Sequence, residues 1–151
     1  MPSLMILVMV AAYMAMLFAV AWRGDERVNY CSTFKLFLAA CVLERASREQ
    51  ETLDRPIPIT AGDILPHWPT TEGAVGRTLT ISELAQATVE LSDNAAANIL
   101  IREIGGLDVL RAWYRAMGDE TTSIDRLEPA LNVADGTKDT TTANQTDRKS
   151  T

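Results

Sequence analysis

The chain is poor in the side chains from which many active sites are assembled. Its 151 residues include one histidine, His67, and two cysteines, Cys31 and Cys41. One imidazole can build neither a multi-histidine metal site nor a pair of catalytic imidazoles, so no metal and no cofactor are called for. The cysteines stand ten residues apart. On one helix that spacing is nearly three turns, too far for a mutual disulfide. Basic charge is scarce as well: 14 Lys and Arg against 20 Asp and Glu leave a formal charge of −6. Such a balance repels phosphate backbones, and nucleic acid is not an expected partner.

Charge is missing altogether between Ser3 and Ala21. The run is close to the ~20 apolar residues that cross a bilayer as a helix. It reads as a membrane anchor or as a signal peptide. Ala19-Val20-Ala21 has the small-x-small form of a cleavage site, yet no positive charge precedes the run. A buried core helix is the third reading, against which stands the lack of any polar face. The length allows one globular unit with a real core. The chain therefore divides into an apolar segment over 1–21, a globular unit over 22–142 and a polar tail over 143–151, with membrane contact through the first. The expected location is periplasmic or secreted, and the expected state a monomer.

Within the globular unit, Ser32 opens a helical stretch in which Phe34, Phe37, Leu38, Cys41, Val42 and Arg45 recur at three- and four-residue steps. Pro56, Pro58, Pro66 and Pro69 make Leu53 to Pro69 extended and looping. Thr80 to Glu83 fits a capping box, predicting a helix to about Leu91. Ser92-Asp93-Asn94 interrupts it, a second helix runs on to Gly105-Gly106, and a third covers Leu107 to Met117. From Thr121 to Thr142 no period persists, which predicts a loop of about twenty residues, long enough to be suspected of function.

Three clusters carry chemistry. Ser32 and Lys35 stand three apart at a helix start, on one face, so the amine can reach the hydroxyl. A serine hydroxyl is nearly inert without a partner to take its proton. An amine can take it where burial disfavours the charged form. The same helix start offers the Ser32 N–H to an oxyanion. The second cluster is Ser92-Asp93-Asn94 and the third Glu128-Pro129-Ala130-Leu131-Asn132. Taken singly, these read as an N-cap with a solvated lysine, a helix-breaking cap, and a solvated acid in a proline turn.

Their order and spacing change that reading. Arg23-Gly24-Asp25-Glu26-Arg27, Cys31-Ser32-Thr33-Phe34-Lys35, Leu53-Asp54-Arg55-Pro56-Ile57, Leu91-Ser92-Asp93-Asn94 with Ala97-Asn98, Asp125 to Asn132 and Asp139-Thr140-Thr141 together resemble the class A serine β-lactamases, over roughly residues 22–142. The resemblance implies an α/β (α+β) fold of the β-lactamase/transpeptidase type and hydrolysis of β-lactam antibiotics through a serine acyl-enzyme. It implies Ser32 as nucleophile, with Lys35, or Glu128 acting through a water, as the base. Ser92 then passes a proton to the departing nitrogen, Asn94 binds the side-chain amide of the substrate, and Glu128 with Asn132 holds the deacylating water. It also implies a cis bond at Pro129 and an ion pair between Arg126 and Asp139 closing the loop. In some relatives the position of Cys31 is disulfide-bonded; no partner cysteine stands here, and a buried free thiol is expected. His67 and Trp68 fall where the family forms a wall of the cleft, so either ring packs on substrate or is an aromatic of a proline-rich loop.

The sequence departs from the family at both ends. No Lys-Thr-Gly strand follows Thr142, and the apolar run replaces the first helix and strand. The expectation is a chain truncated at both ends, with the helical subdomain retained, the antiparallel sheet largely missing, and an apolar helical face left open. Lacking the strand that supplies the second oxyanion N–H counts against turnover by this chain. Two alternatives stand beside hydrolysis: a penicillin-binding peptidase or sensor that acylates without turnover, and an inert membrane-associated fragment.

Overall fold

The computed structural model describes residues 24–65 and 69–144. The apolar segment over 1–21, His67, Trp68 and the tail beyond Asn144 lie outside the described residues. Four α-helices dominate: α1 (Phe34–Ser47), α2 (Ile81–Glu90), α3 (Asn94–Ile104) and α4 (Leu107–Ala116). Among them no helix is long and apolar enough to cross a membrane.

Local chemistry starts and stops these helices. Thr80 Oγ1 accepts from the Glu83 N–H at 3.1 Å, and Glu83 Oε2 accepts from the Thr80 N–H at 2.7 Å, a reciprocal cap that opens α2. Asp93 Oδ1 accepts from the Ala96 N–H at 2.9 Å and opens α3. Gly105, at φ 109°, ends α3 in a left-handed turn where a side chain would be strained.

The faces then decide the packing. Phe34, Phe37, Leu38, Cys41 and Val42 form the buried stripe of α1. On α3 burial runs almost all the way round, from Asn94 through Ala95, Ala96 and Ala97 to Ile99, Leu100, Ile101 and Ile104. The alanines let backbones approach, and α1 and α3 each touch all three other helices. Leu110 and Tyr114 close the core from α4. Tyr30, just before Ser32, packs on Phe37 and Tyr114 at ring-centroid distances of 5.9 and 6.2 Å.

Two small antiparallel sheets complete the unit. Strand β2 (Pro56–Pro58) pairs with β3 (Thr78–Thr80) in the register Ile57 to Leu79. The odd-numbered residues face the partner: Ile59 N donates to Arg77 O, and Arg55 O accepts from Ile81 N. Both prolines thus point their missing N–H to the outer edge, where nothing is lost. Strand β1 (Arg27–Asn29) pairs with β4 (Thr140–Thr142), Val28 opposite Thr141. β4 lies inside the stretch whose pattern predicts only loop. Its three threonines carry no apolar alternation, yet all three are buried, and Thr141 Oγ1 bonds Thr122 Oγ1 at 2.7 Å. The fold is thus mainly helical with little sheet. On α1 an apolar face stays open among the described residues, with Leu36 and Leu43, two turns apart, 57% and 53% exposed.

Leu100 is fully buried at the centre of α3. Leu100→Ala is expected to cost about 2–5 kcal/mol in urea unfolding, the range for a large-to-small core change. Acid should weaken the fold as well. Arg55 donates Nε and Nη2 to the Glu51 carboxylate at 2.8 Å each, and these bonds hold that carboxyl below its usual range. A depressed folded value contributes stability that is complete above the unfolded value near ~4.3 and lost as pH falls through the folded one. The urea midpoint should therefore fall between about pH 5 and about pH 3, and fall less steeply in Arg55→Gln.

Candidate active site

The site forms where α1, the corner between α2 and α3, and the 121–139 loop converge. Ser32 lies on the one-turn 3₁₀ helix Cys31–Thr33 that leads into α1, with its side chain exposed, and Cys31 stands at φ 45°. Tyr30 anchors that turn: its N–H donates to Asp139 O at 2.8 Å, its carbonyl accepts from Thr33 N at 3.2 Å, and its hydroxyl accepts from Tyr114 Oη at 3.2 Å. Burial pushes the Tyr30 hydroxyl well above its ordinary pKa, so it stays neutral and acts as a packing group.

One turn on, Lys35 is buried, and its amine sits in a cage of oxygens. Nζ donates to Asn94 Oδ1 at 2.6 Å, Ser92 O at 2.8 Å and Ser92 Oγ at 3.0 Å. Three bonds use the three protons of an ammonium. Glu128 Oε1 supplies the countercharge at 3.1 Å without hydrogen-bond alignment, and the two side chains are 3% and 0% exposed. Neither charge could lie there alone, since an unpaired buried ion is strongly destabilising.

The direct bond from Lys35 to Ser32 that the three-residue spacing suggests is not made. The amine turns inward to the buried acceptors, and the Ser92 hydroxyl bridges instead, donating to Ser32 Oγ at 3.2 Å. Asn94, expected to bond the side-chain amide of the substrate, also accepts from Lys35 through its carbonyl oxygen. Cys31, expected to be buried, is a free but exposed thiol, because the turn at φ 45° leaves it outside the core; Cys41 is free and buried. His67 and Trp68 lie outside the described residues.

The acid is held from both sides. Asn132 Nδ2 donates to Glu128 Oε2 at 2.6 Å, while Asn29 Nδ2 donates to Asn132 O at 3.3 Å. The Glu128–Pro129 bond is cis. Asn98, on α3, clamps the Glu128 backbone: Glu128 N donates to Asn98 Oδ1, and Asn98 Nδ2 donates to Glu128 O, both at 2.9 Å. The sequence assigns Asn98 no role beyond its place in a motif; an amide in the apolar middle of α3, between Ala97 and Ile99, is the available signal. The sequence likewise marks Asp93 only as part of a helix break. Fully buried, its carboxylate accepts from the Thr70 and Thr71 N–H groups at 3.0 Å as well as from Ala96 N. It thereby ties a distant loop to the corner that carries Ser92.

The loop itself closes on Asp139, which is fully buried. Its Oδ1 accepts from Asp125 N at 2.7 Å and Arg126 N at 3.0 Å, and its Oδ2 accepts from Arg126 Nε at 2.6 Å. Arg126 Nη2 also donates to Val133 O at 2.6 Å. The arrangement is an exposed hydroxyl linked through a second hydroxyl to a buried ammonium–carboxylate pair, with an amide beside the carboxylate. It can lend a proton path to an attacking serine and orient a water. Among the described residues no acid, cysteine and histidine cluster could hold a metal.

The sequence and the fold are both similar to those of known proteins. The sequence profile of the Beta-lactamase enzyme family matches residues 14–148. The chain is 43% identical to β-lactamase Toho-2 of Escherichia coli over 126 residues, 82% of this chain and 44% of that protein. It is 45% identical to β-lactamase L2 of Stenotrophomonas maltophilia over 122 residues, 80% of this chain and 40% of that one. Among solved structures, an ancestral class A β-lactamase aligns with a TM-score of 0.80 at 47% identity, covering 82% of this chain and 48% of that one. A β-lactamase from Xanthomonas campestris pv. campestris aligns with the same score at 45% identity, covering 82% and 47%. The chain thus spans less than half the length of the relatives it matches.

Asp139→Asn should loosen the loop, because it leaves the Arg126 guanidinium facing a neutral amide in a buried setting. A loss of about 3 kcal/mol is expected in urea unfolding, with faster hydrogen exchange at the Asp125 and Arg126 amides and little change at Leu84.

Proposed function

The chain belongs to the class A serine β-lactamase family, and from that premise we propose that its site opens β-lactam antibiotics by forming an acyl-enzyme on Ser32. The observation that carries the reading is the contact path from Ser32 Oγ through Ser92 Oγ and Lys35 Nζ to Glu128 Oε1.

The chemistry runs along that path. Ser32 Oγ attacks the strained carbonyl carbon, the oxygen–carbon bond forms, and the Ser32 proton must leave. Lys35, with all three protons engaged, accepts it only after ceding one to Glu128. A water between Ser32 and Glu128 would carry it there directly. Either route ends with the proton on Glu128, which explains why the acid is buried against the amine and not left in solvent. The carbon–nitrogen bond then breaks, and the nitrogen takes a proton from Ser92, which Lys35 replenishes. Glu128, having returned its proton to Lys35, takes one from a water oriented by Asn132; the hydroxide bonds to the ester carbon, the bond from that carbon to Ser32 Oγ breaks, and Ser32 Oγ recovers the proton from Glu128. Asn94 is proposed to bond the side-chain amide of the substrate, and His67 and Trp68 are proposed as cleft-wall residues.

Acylation and turnover separate in this chain. Its 151 residues contain no Lys-Thr-Gly triplet, the strand that in the family completes the oxyanion site. One missing oxyanion donor costs on the order of 10²–10³ in rate. Slow turnover is therefore proposed for the chain by itself. The contact between Glu128 and Asn132 favours hydrolysis over a sensor that acylates and stops, because a stalled ester needs no water-activating acid. The apolar stretch over 3–21 is proposed as the segment that exports or anchors the protein, with the site facing the periplasm or the exterior.

Intact-mass measurement after incubation with benzylpenicillin tests the reading. The chain should gain one penicilloyl group that decays, Ser32→Ala should gain none, and Glu128→Gln should gain it more slowly and retain it at least ~100-fold longer, the scale of a lost general base. An adduct that survives in Ser32→Ala, or none on the unaltered chain, refutes the proposal.

A further inference from the structure

Toward the C-terminal end of α3, beyond Asn98, lies a cavity of about 370 Å³. That volume is in the range of small-molecule sites. Its apolar wall is Ile101, Leu107 and Leu127, and its polar wall is Asn98, Arg102, Asp108 and Arg111. We propose that this cavity is a second binding site, for a small apolar carboxylate, and that its occupancy governs the position of Glu128. The link to Glu128 as a reacting group rests on the function proposed above; the binding does not.

The donors argue for the carboxylate. Arg102 gives Nε to Glu103 and Nη1 to Asp63, and Arg111 gives Nη1 to Ile124 O and Nη2 to Asp108. Arg102 Nη2 and Arg111 Nε have no acceptor among the described residues. At the Gly105-Gly106 junction α4 begins without a side-chain cap, so the N–H groups of Leu107 and Asp108, which also line the cavity, are uncapped. The carboxylates of Asp63, Glu103 and Asp108 offset the arginine charges. Recognition therefore rests on the open donors of Arg102, Arg111 and the start of α4, not on net charge, and a carboxylate, with two strong acceptor oxygens, answers it best.

The coupling is geometric. Leu127 is a wall of the cavity and directly precedes Glu128. Asn98 is another wall and holds the Glu128 backbone through two 2.9 Å bonds. A ring seated against Ile101 and Leu107 presses on both at once. Glu128 has little freedom to absorb the movement, because its carboxylate is fastened to Lys35 and Asn132 on the other side.

The test is ¹⁵N–¹H NMR of the full chain titrated with 3-phenylpropionate, with 3-phenylpropanamide as the neutral control. Saturable shifts are expected at Gly105, Gly106, Leu107 and Leu127, together with the Glu128 amide and the Asn98 side-chain amide. The carboxamide, and the carboxylate on Arg111→Gln, should bind about tenfold more weakly, the loss expected for one charge-assisted bond. Leu127→Trp, at a partly exposed position, should fill the cavity and abolish the shifts while the rest of the spectrum stays folded. No saturable shifts, equal binding of the amide, or shifts centred on Ser32 and Ser92 would overturn the site. Shifts confined to residues 105–111, with Glu128 and Asn98 still, would overturn the coupling. None of these readouts depends on penicillin, so failure of the cavity and failure of the acyl-enzyme reading are told apart.

Discussion

A positive and a negative charge buried within 3.1 Å of each other, on Lys35 and Glu128, are the constraint on which the rest of the structure depends. Each would be prohibitively costly in the interior without the other. Lys35 rises from the first turn of α1, its other acceptors belong to the corner before α3, and Glu128 hangs from a long loop more than ninety residues downstream. Satisfying the pair therefore forces three remote segments to meet. The exposed Ser32 hydroxyl sits at the rim of that meeting point.

The same logic explains how much polar scaffolding surrounds so small a site. A loop with little regular structure can hold a carboxylate in place only if its backbone is tied down. Asp139 binds the loop start, Asn98 binds the backbone at Glu128, and the Tyr30 N–H joins Asp139 O to the turn carrying Ser32. Asp93 does the corresponding work for the α2–α3 corner. Asp139, Asp93 and Tyr30 are buried and Asn98 is half-buried, and each exchanges bonds it would make with water for bonds to backbone that has no ladder partner. Asn98 stands on the boundary between this scaffold and the cavity next to it, so one side chain serves both.

Much of the scaffold could be read from the chain. Thr80 and Glu83 announce the start of α2 because a capping box is a local interaction, complete within four residues. Gly105 announces the end of α3 for the same reason. Strand β4 was not legible: Thr140, Thr141 and Thr142 have neither alternation nor apolar character, and only pairing with β1 and burial under Thr122 make them a strand. The identities of Ser32, Lys35, Ser92 and Glu128 stood out by motif, but the contacts between them did not. Spacing suggested that Lys35 would bond Ser32, and the amine went instead to acceptors that the sequence could not place within reach.

What the sequence alone determined is which residues are present, where helices begin and end, and to which family the motifs belong, since each depends on neighbours a few positions apart. Tertiary structure decided the rest: that Ser92 stands between Ser32 and Lys35, that Cys31 is exposed, that Asn98 grips Glu128, and that a cavity opens next to it. Those are contacts between segments distant along the chain. They are settled by the cost of burying charge and unpaired backbone, which acts only once the segments have been brought together.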